Sequence, residues 1–486
     1  MFQNNSLPAF NSNIGLVALR HLKDVADVEC FDSQPEAGGL WHYTETSELT
    51  HANLESDVYY KQNGYLHPSI HEELIANVPR YLMQYKDFPV NAIATPMFML
   101  RDNFFSYLLS YASHFKLSKY IRLNRLVSSV RLVSGFQDKR EKQEWGLTST
   151  KNDHRRFVVK YCSTTKTSKG VSPVGYAQFD YVVVCSGHNS FPIVPKIDGA
   201  ENFQGLQMTA HHFRSYSTPD FRHKNVLIIG ARYSGPDMFI QLLFNPYIDQ
   251  NHVGTIYVSG DVSCLEKSTD FAHLYARQKI ILKNGRVKSF GKTNVIFHDD
   301  TQAEIDLVIY CCGYHFRFSF LENEDKLINW SLNEHLGKYW GPLYSRMFCI
   351  KEPHLIFIGN HDHSIIIQLI MEKQCIVAKK VINNEIQLPS SQEMLKSFHE
   401  DLRKYLTLNK PLKDYYRLDT SVNDWSYIEQ LRQLAKMKGN EIVDQTLKNI
   451  ATKFLELASV GNWLSYRKYD FAQLELPGYR DTTDFL

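Results

Sequence analysis

Val28-Glu29-Cys30-Phe31-Asp32, followed shortly by Gly38-Gly39-Leu40-Trp41, is the stretch that decides the fold. Val28–Phe31 is an apolar run of strand length, and Asp32 ends it with a carboxylate. An acid at the carboxyl end of a strand can hold the adenosine ribose hydroxyls of a dinucleotide. The paired glycines let backbone approach a pyrophosphate closely, and Trp41 supplies a flat apolar wall. Alone, Asp32 reads rather as a solvated turn acid, and a glycine pair as an ordinary turn. Together, Asp32, Gly38, Gly39, Leu40 and Trp41 read as a cofactor-binding group.

Upstream, residues 14–25 predict a helix whose apolar face carries Ile14, Leu16, Val17, Leu19, Leu22 and Val25. Gly15 falls on the last glycine of a GxGxxG turn. The first two glycine positions fall on Phe10 and Ser12, and both of these carry a Cβ. The preceding MFQNNSLPA is polar and contains Pro8, so the sequence predicts no strand ahead of this turn.

Downstream, Val226–Ile229 is a complete apolar strand that runs into Gly230-Ala231-Arg232-Tyr233-Ser234-Gly235-Pro236-Asp237 and a helix over 234–244. Arg232 occupies the middle glycine position. Gly230, Tyr233, Ser234, Gly235 and Asp237 are therefore candidates for a second dinucleotide, with Ser234 capping a helix whose N-terminus favours phosphate. An ordinary strand–helix turn is the alternative. The next strand, Thr255–Val258, leads to Asp261. A carboxylate there repels a 2′-phosphate and accepts from a free 2′-hydroxyl, so the sequence predicts weakened preference for NADP and use of NAD. Arg232 is a guanidinium that could offset this.

The chain has 486 residues, enough for two to three domains. A 43% hydrophobic fraction supports a full core, and 54 basic against 52 acidic residues leave a net charge of +2, with no field suited to nucleic acid. Eight scattered cysteines include no CxxC, which argues against disulfide scaffolding and zinc binding. No metal site is expected. The chain shows no signal-peptide pattern and no run of ~20 apolar residues, so the expectation is a cytoplasmic protein without a membrane span. A homo-oligomer is compatible with all of this. Residues 101–116 predict a helix burying Phe105, Leu108, Leu109 and Tyr111. Val127–Leu132, Gly146–Ser149 and Phe157–Tyr161 predict a small antiparallel sheet. Tyr181–Cys185, Leu307–Tyr310 and Leu355–Ile358 read as buried parallel strands.

Further stretches carry a resemblance. Leu74-Ile75-Ala76-Asn77-Val78-Pro79 is similar to a "TNLP" segment, and Tyr85-Lys86-Asp87-Phe88-Pro89 to "F-x-D-F-P". Phe203 to Phe213 matches FxGxxxHxxx(Y/F), except that Thr209 stands at the His position with His211 two residues on. Tyr181–Gly187, Asp306–Tyr314, Leu355–Gly359 and Glu372-Lys373-Gln374 resemble "VVVATG", "DVIIFATGY", "LAFIG" and "ELQ". In this order, over about residues 14–460, the chain resembles the flavin-containing monooxygenases, whose products include N-oxides. The resemblance implies an α/β fold of two Rossmann-like dinucleotide-binding domains, the NAD(P) domain inserted in the FAD domain. The expected divisions are 1–200, 201–325 and 326–486.

It implies FAD and NADP as cofactors and O2 with a small nucleophilic substrate as partners. One oxygen atom would pass from a flavin peroxide to nitrogen or sulfur. Asn77 is the implied catalytic residue, its amide lying by the flavin edge; a turn-capping Asn is the bland reading. The cofactor carries the chemistry, so His67, His71 and His188 are read as structural. The altered first turn, Ala76 and Thr209 keep a second expectation open, a non-catalytic relative with weakened FAD binding. A flavin disulfide reductase lacks its cysteine pair here, and the longer signature of a Baeyer–Villiger oxygenase is not evident.

Overall fold

The computed structural model describes residues 6–10, 13–45, 68–135, 143, 145, 156–165, 173–216, 220–244, 253–321, 327, 339–361, 363–418, 421–437 and 441–459. The principal elements begin with β1 (Ser6–Phe10), α1 (Asn13–Leu22), β2 (Asp27–Phe31), α2 (Arg80–Met83), α3 (Arg101–His114) and β3 (Ile121–Arg122). There follow β4 (Arg125–Leu132), β5 (Phe157–Ser163), β6 (Val174–Phe179), β7 (Val182–Val184) and β8 (Phe191–Pro192). A second block comprises β9 (Leu206–Thr209), β10 (Val226–Ile229), α4 (Ser234–Phe244), β11 (Ile256–Gly260) and β12 (Ile280–Asn284). It continues through β13 (Val287–Phe290), β14 (Asn294–Phe297), β15 (Gln302–Glu304), β16 (Leu307–Tyr310) and β17 (Tyr314–His315). The last block holds β18 (Leu343–Tyr344), β19 (Phe348–Cys349), β20 (Leu355–Phe357), α5 (Ile367–Ile382), α6 (Ser391–Leu406), α7 (Ser421–Leu434) and α8 (Glu441–Ser459).

Two parallel sheets organise these elements. The first is seven-stranded, in the order β18-β19-β20-β7-β1-β2-β3, and is parallel from β20 to β3. The second is five-stranded, β12-β11-β10-β16-β9, and parallel throughout. β7 and β20 are hydrogen-bonded neighbours, yet the whole second sheet lies between them in sequence. The unit built on the second sheet is thus an insertion in the first, as expected. The antiparallel sheets β4-β5-β6 and β13-β14-β15 are excursions from the two parallel ones.

The absent first strand is corrected. Ser6–Phe10 forms β1 at the middle of the seven-stranded sheet, paired along its length with β2 from Ser6↔Asp27 to Phe10↔Phe31. Pairing with β7 is confined to Ala9↔Val183, so Pro8 interrupts little of the ladder on that side. Neighbouring strands override the weak local propensity of SLPAF. Ser12 lies outside the described residues.

Helix α1 is shorter than expected and leaves Val25 in the following turn. Leu16, Val17, Ala18 and Leu19 are all buried, because α1 is enclosed within the same core as α5 rather than exposing one face. Helix α3 buries Phe104, Tyr107, Leu108, Tyr111 and Ala112; Leu109 is exposed and Phe105 only half-buried, a rotation of the expected face. Gly146–Ser149 and His67 fall outside the described residues. The third strand of the small sheet is Val174–Phe179. In the second unit, Val226 and Ile228 share a core with α4 and Leu227 with β13–β15, so all three are fully buried, as a continuous apolar strand covered on both faces should be. No helix among the described residues is long and apolar enough to cross a membrane.

Candidate active site

Each parallel sheet reverses its strand order once. In the first, β1 has β2 on one side and β7 on the other; in the second, β10 lies between β11 and β16. The crevice outside the carboxyl ends at such a reversal is where open α/β sheets take ligands. A cavity of about 800 Å3 joins both crevices. Asp32, following β2, and Gly187, following β7, line it from the first sheet; Gly230 after β10 and Asp261 after β11 line it from the second.

Of the residues the sequence singled out, Asp32, Gly39, Leu40, Trp41, Gly230, Tyr233 and Ser234 meet in this one cavity. Asp32 is 4% exposed, which excludes the solvated turn acid. Its Oδ1 accepts the Gln34 backbone N–H at 2.8 Å. Tyr233 stacks at 4.3 Å on His363 and accepts from the Arg417 guanidinium at 3.2 Å, fixing the second turn against the C-terminal part of the first unit. Arg232 Nη1 lies 3.9 Å from Asp414 Oδ1 at the surface. Asp261 Oδ1 accepts from Ser263 Oγ at 2.7 Å, and this bond, backed by Arg232, holds its carboxyl below the usual range.

Gly15, Gly38, Asn77, Gly235 and Asp237 do not line the cavity. Gly15 is buried inside α1. Gly38 has φ 147°, and a Cβ there would enter the Phe105 ring. Gly235 lies against the Gly230 carbonyl oxygen, which a Cβ would displace. These two glycines shape the turns from behind. Asn77 is exposed on the bend before α2, where Ala76 N–H bonds the Met99 carbonyl at 2.8 Å.

Asp237 faces away, toward a buried ion cluster. Its Oδ2 is 3.6 Å from His71 Nε2, and Glu73 Oε2 is 3.8 Å from His71 Nδ1. Burial alone would lower the His71 pKa, but the two carboxylates outweigh it and raise it. The cluster ties α4 to the 68–73 segment, so His71 is structural, as read. In the 203–213 stretch, Thr209 Oγ1 meets His212 Nδ1 at 2.7 Å; the neighbour three residues on, rather than His211, makes this contact. Phe203 packs on Phe290 and Phe213 on Tyr216.

Sequence reasoning missed His361, Gln368 and the cavity position of His188. His361 follows β20 and is 2% exposed; Gln368 is in the first turn of α5 and is 4% exposed. Among the described residues, both His361 ring nitrogens and Gln368 Oε1 have no hydrogen-bond partner. Buried polar atoms are normally paired, so this wall suits a ligand rich in donors and acceptors. With the buried Asp32 carboxylate and the exposed turn at Gly230–Ser234, the residues present fit two dinucleotides. The groups of His, Cys, Asp and Glu among the described residues include none arranged to hold a metal ion.

Comparison with known proteins agrees. The family described as "Flavin-binding monooxygenase-like" matches residues 13–245 and 273–452. A senecionine N-oxygenase of Tyria jacobaeae is 25% identical over 460 residues, covering 94% of this chain and 87% of its own. A trimethylamine monooxygenase of a Pelagibacter species is 26% identical over 406 residues, covering 82% and 78%. Among solved structures, the S-allyl-L-cysteine S-oxygenase from Allium sativum superposes with a TM-score of 0.76 at 21% identity, covering 97% of both chains. The family match spans most of the chain, and with the fold and the shared cavity it makes this protein a flavin-dependent monooxygenase of the flavin-binding monooxygenase-like family.

Proposed function

We propose that the protein uses FAD and NAD(P)H to transfer one oxygen atom from O2 to a nucleophilic nitrogen or sulfur of a small molecule, the second oxygen leaving as water. One observation carries this reading: a single cavity runs from the Asp32 carboxylate at one strand reversal to the Gly230–Ser234 turn at the other. Names of relatives support the substrate class, since one is a senecionine N-oxygenase and another a trimethylamine monooxygenase.

Asp32 would accept the adenosine ribose hydroxyls of FAD, and Gly39–Trp41 would lie along its diphosphate and ring system. Gly230 and the N-terminus of α4 would hold the nicotinamide dinucleotide's diphosphate. Asp261 would accept a free ribose 2′-hydroxyl, with Arg232 beside it as the group available to a 2′-phosphate. When bound, the flavin supplies the redox and oxygen-transfer chemistry. The protein's task is to orient the two rings, exclude water and hold polar edges. Asn77 remains our candidate for a contact at the reacting centre, on the resemblance; the test is Asn77→Ala, expected to lower turnover with FAD affinity unchanged. We place the unit divisions near residues 200 and 325.

The experiment is direct. Purified protein should be yellow, oxidise NADPH or NADH, and convert trimethylamine or dimethyl sulfide to the oxide, with 18O2 label in the product by mass spectrometry. Colourless protein that cannot be loaded with FAD overturns the reading.

A further inference from the structure

The turn that follows β10 is met by a short segment of the other unit. Residues 411–417 form a tight turn, in which Asp414 N–H donates to the Pro411 carbonyl at 2.9 Å and Arg417 N–H to the Asp414 carbonyl at 3.0 Å. The two residues after Asp414 fix its position. Tyr415 and Tyr416 are buried, the Tyr415 hydroxyl donates to Asp401 Oδ2 at 2.6 Å, and the Tyr416 ring stacks on Trp340 at 4.1 Å. This segment touches the second unit at two neighbouring residues: Asp414 faces Arg232 at 3.9 Å, and Arg417 donates to the Tyr233 hydroxyl at 3.2 Å. A second carboxylate approaches Arg232 from β11. Gly260 packs so closely on the β10 turn that a Cβ there would lie 3.1 Å from Ala231 N. That approach sets Asp261 beside Arg232, whose charge helps to keep the Asp261 carboxyl ionised after the bonds from Ser263. Arg232, Asp261 and Asp414 all line the cavity. One guanidinium between two carboxylates leaves this corner negative. The arginine is its mobile member, with a side chain 56% exposed against 14% for Asp414.

We propose that Asp414, supplied by the unit that does not carry the nicotinamide dinucleotide, sets the choice between its 2′-phosphorylated and plain forms by competing for Arg232. This rests on the reading of the Gly230–Ser234 turn as the site of that dinucleotide. The acid at the carboxyl end of the second strand of such a unit meets the adenosine 2′ group, which brings that group to the corner of Asp261 and Arg232. A 2′-hydroxyl donates to Asp261 and leaves the Arg232–Asp414 pair in place. A 2′-phosphate needs the guanidinium and has to draw it away from Asp414. Asp414 therefore weakens the binding of one dinucleotide and not of the other, and it acts through Arg232 rather than on the ligand.

The test is equilibrium binding of NADP+ and NAD+ to the holoprotein, as wild type, Asp414→Asn, Asp414→Glu, Arg232→Gln and the double variant Arg232→Gln/Asp414→Asn, with thermal melts to verify folding. Asp414→Asn should tighten NADP+ binding about fivefold, the size expected for a partly exposed pair, and leave NAD+ binding unchanged. Asp414→Glu, which keeps the charge, should behave as wild type. The gain should vanish in the Arg232→Gln background and shrink in ~1 M salt, where charges are screened within about 3 Å. A merely structural effect of the substitution would survive both. Unchanged NADP+ affinity in Asp414→Asn overturns the inference. So does an equal gain for both dinucleotides, or a gain that persists without Arg232. Wild type that binds neither dinucleotide overturns the reading of the second crevice and this inference together.

Discussion

The two strand–turn–helix units of this protein reach the same geometry by different routes. In the second, Val226–Ile229 is apolar throughout, and Gly235 lets α4 rest on the Gly230 carbonyl. In the first, SLPAF is a poor central strand on its own terms, and becomes one because β2 pairs with every residue of it. One unit is written in its own residues; the other is imposed by its neighbours. A segment of weak strand propensity can therefore still be set as a central strand by the sheet around it.

Four experiments break or sharpen this contrast. Gly235→Val should be the most damaging, costing about 3 kcal/mol, because the new side chain displaces the Gly230 carbonyl; a near-normal melting temperature would show that the second turn tolerates slack as the first does. Asp32→Ala should raise the FAD Kd about thirtyfold, ~2 kcal/mol for a charged hydrogen-bond acceptor, while NADP+ binding holds. Equal losses for both ligands would mean the two crevices do not act separately. Asp261→Arg should shift the NADPH/NADH ratio of kcat/KM about tenfold toward NADPH; a wild type already strongly selective for NADPH would contradict the assignment. The smallest effect concerns the junction of the units. His71, facing Glu73, Asp237 and the rings of Phe213 and Tyr216, has a folded pKa raised above its unfolded value. Its contribution is complete below the unfolded value and lost as pH rises through the folded one. His71→Gln should flatten that decline in denaturant titrations at pH above the ordinary imidazole value. An unaltered slope would assign it elsewhere.

What was legible in sequence follows the same division. Val226–Ile229, Leu307–Tyr310 and the helix over 234–244 were readable to the residue, because a continuous apolar run bounded by glycine specifies a buried strand by itself. β1 was not, since the pairing that makes it is non-local. At the site, the acid-tipped strand and Gly39–Trp41 were readable from their spacing. Gly38, Gly235 and Asp237, read as cofactor-binding candidates, lie outside the cavity lining, the two glycines against close neighbours and Asp237 beside His71, a placement that needs the third dimension. His361 carried no motif at all. Its interest lies in unpaired nitrogens, and partnership is a property of the folded chain. The one available signal was polar Asn360-His361 directly after an apolar strand and Gly359.

The insertion of the second sheet between β7 and β20 has a consequence for assembly. The first sheet cannot close until its last parallel strand has been synthesised, and every residue of the inserted unit is made earlier. Joining two distant strands through a slack chain is entropically expensive, whereas a folded insert holds its own ends near each other. The β8–β17 pair ties the two ends of the insert together, so the inserted unit is expected to fold first and to bring β20 back to β7.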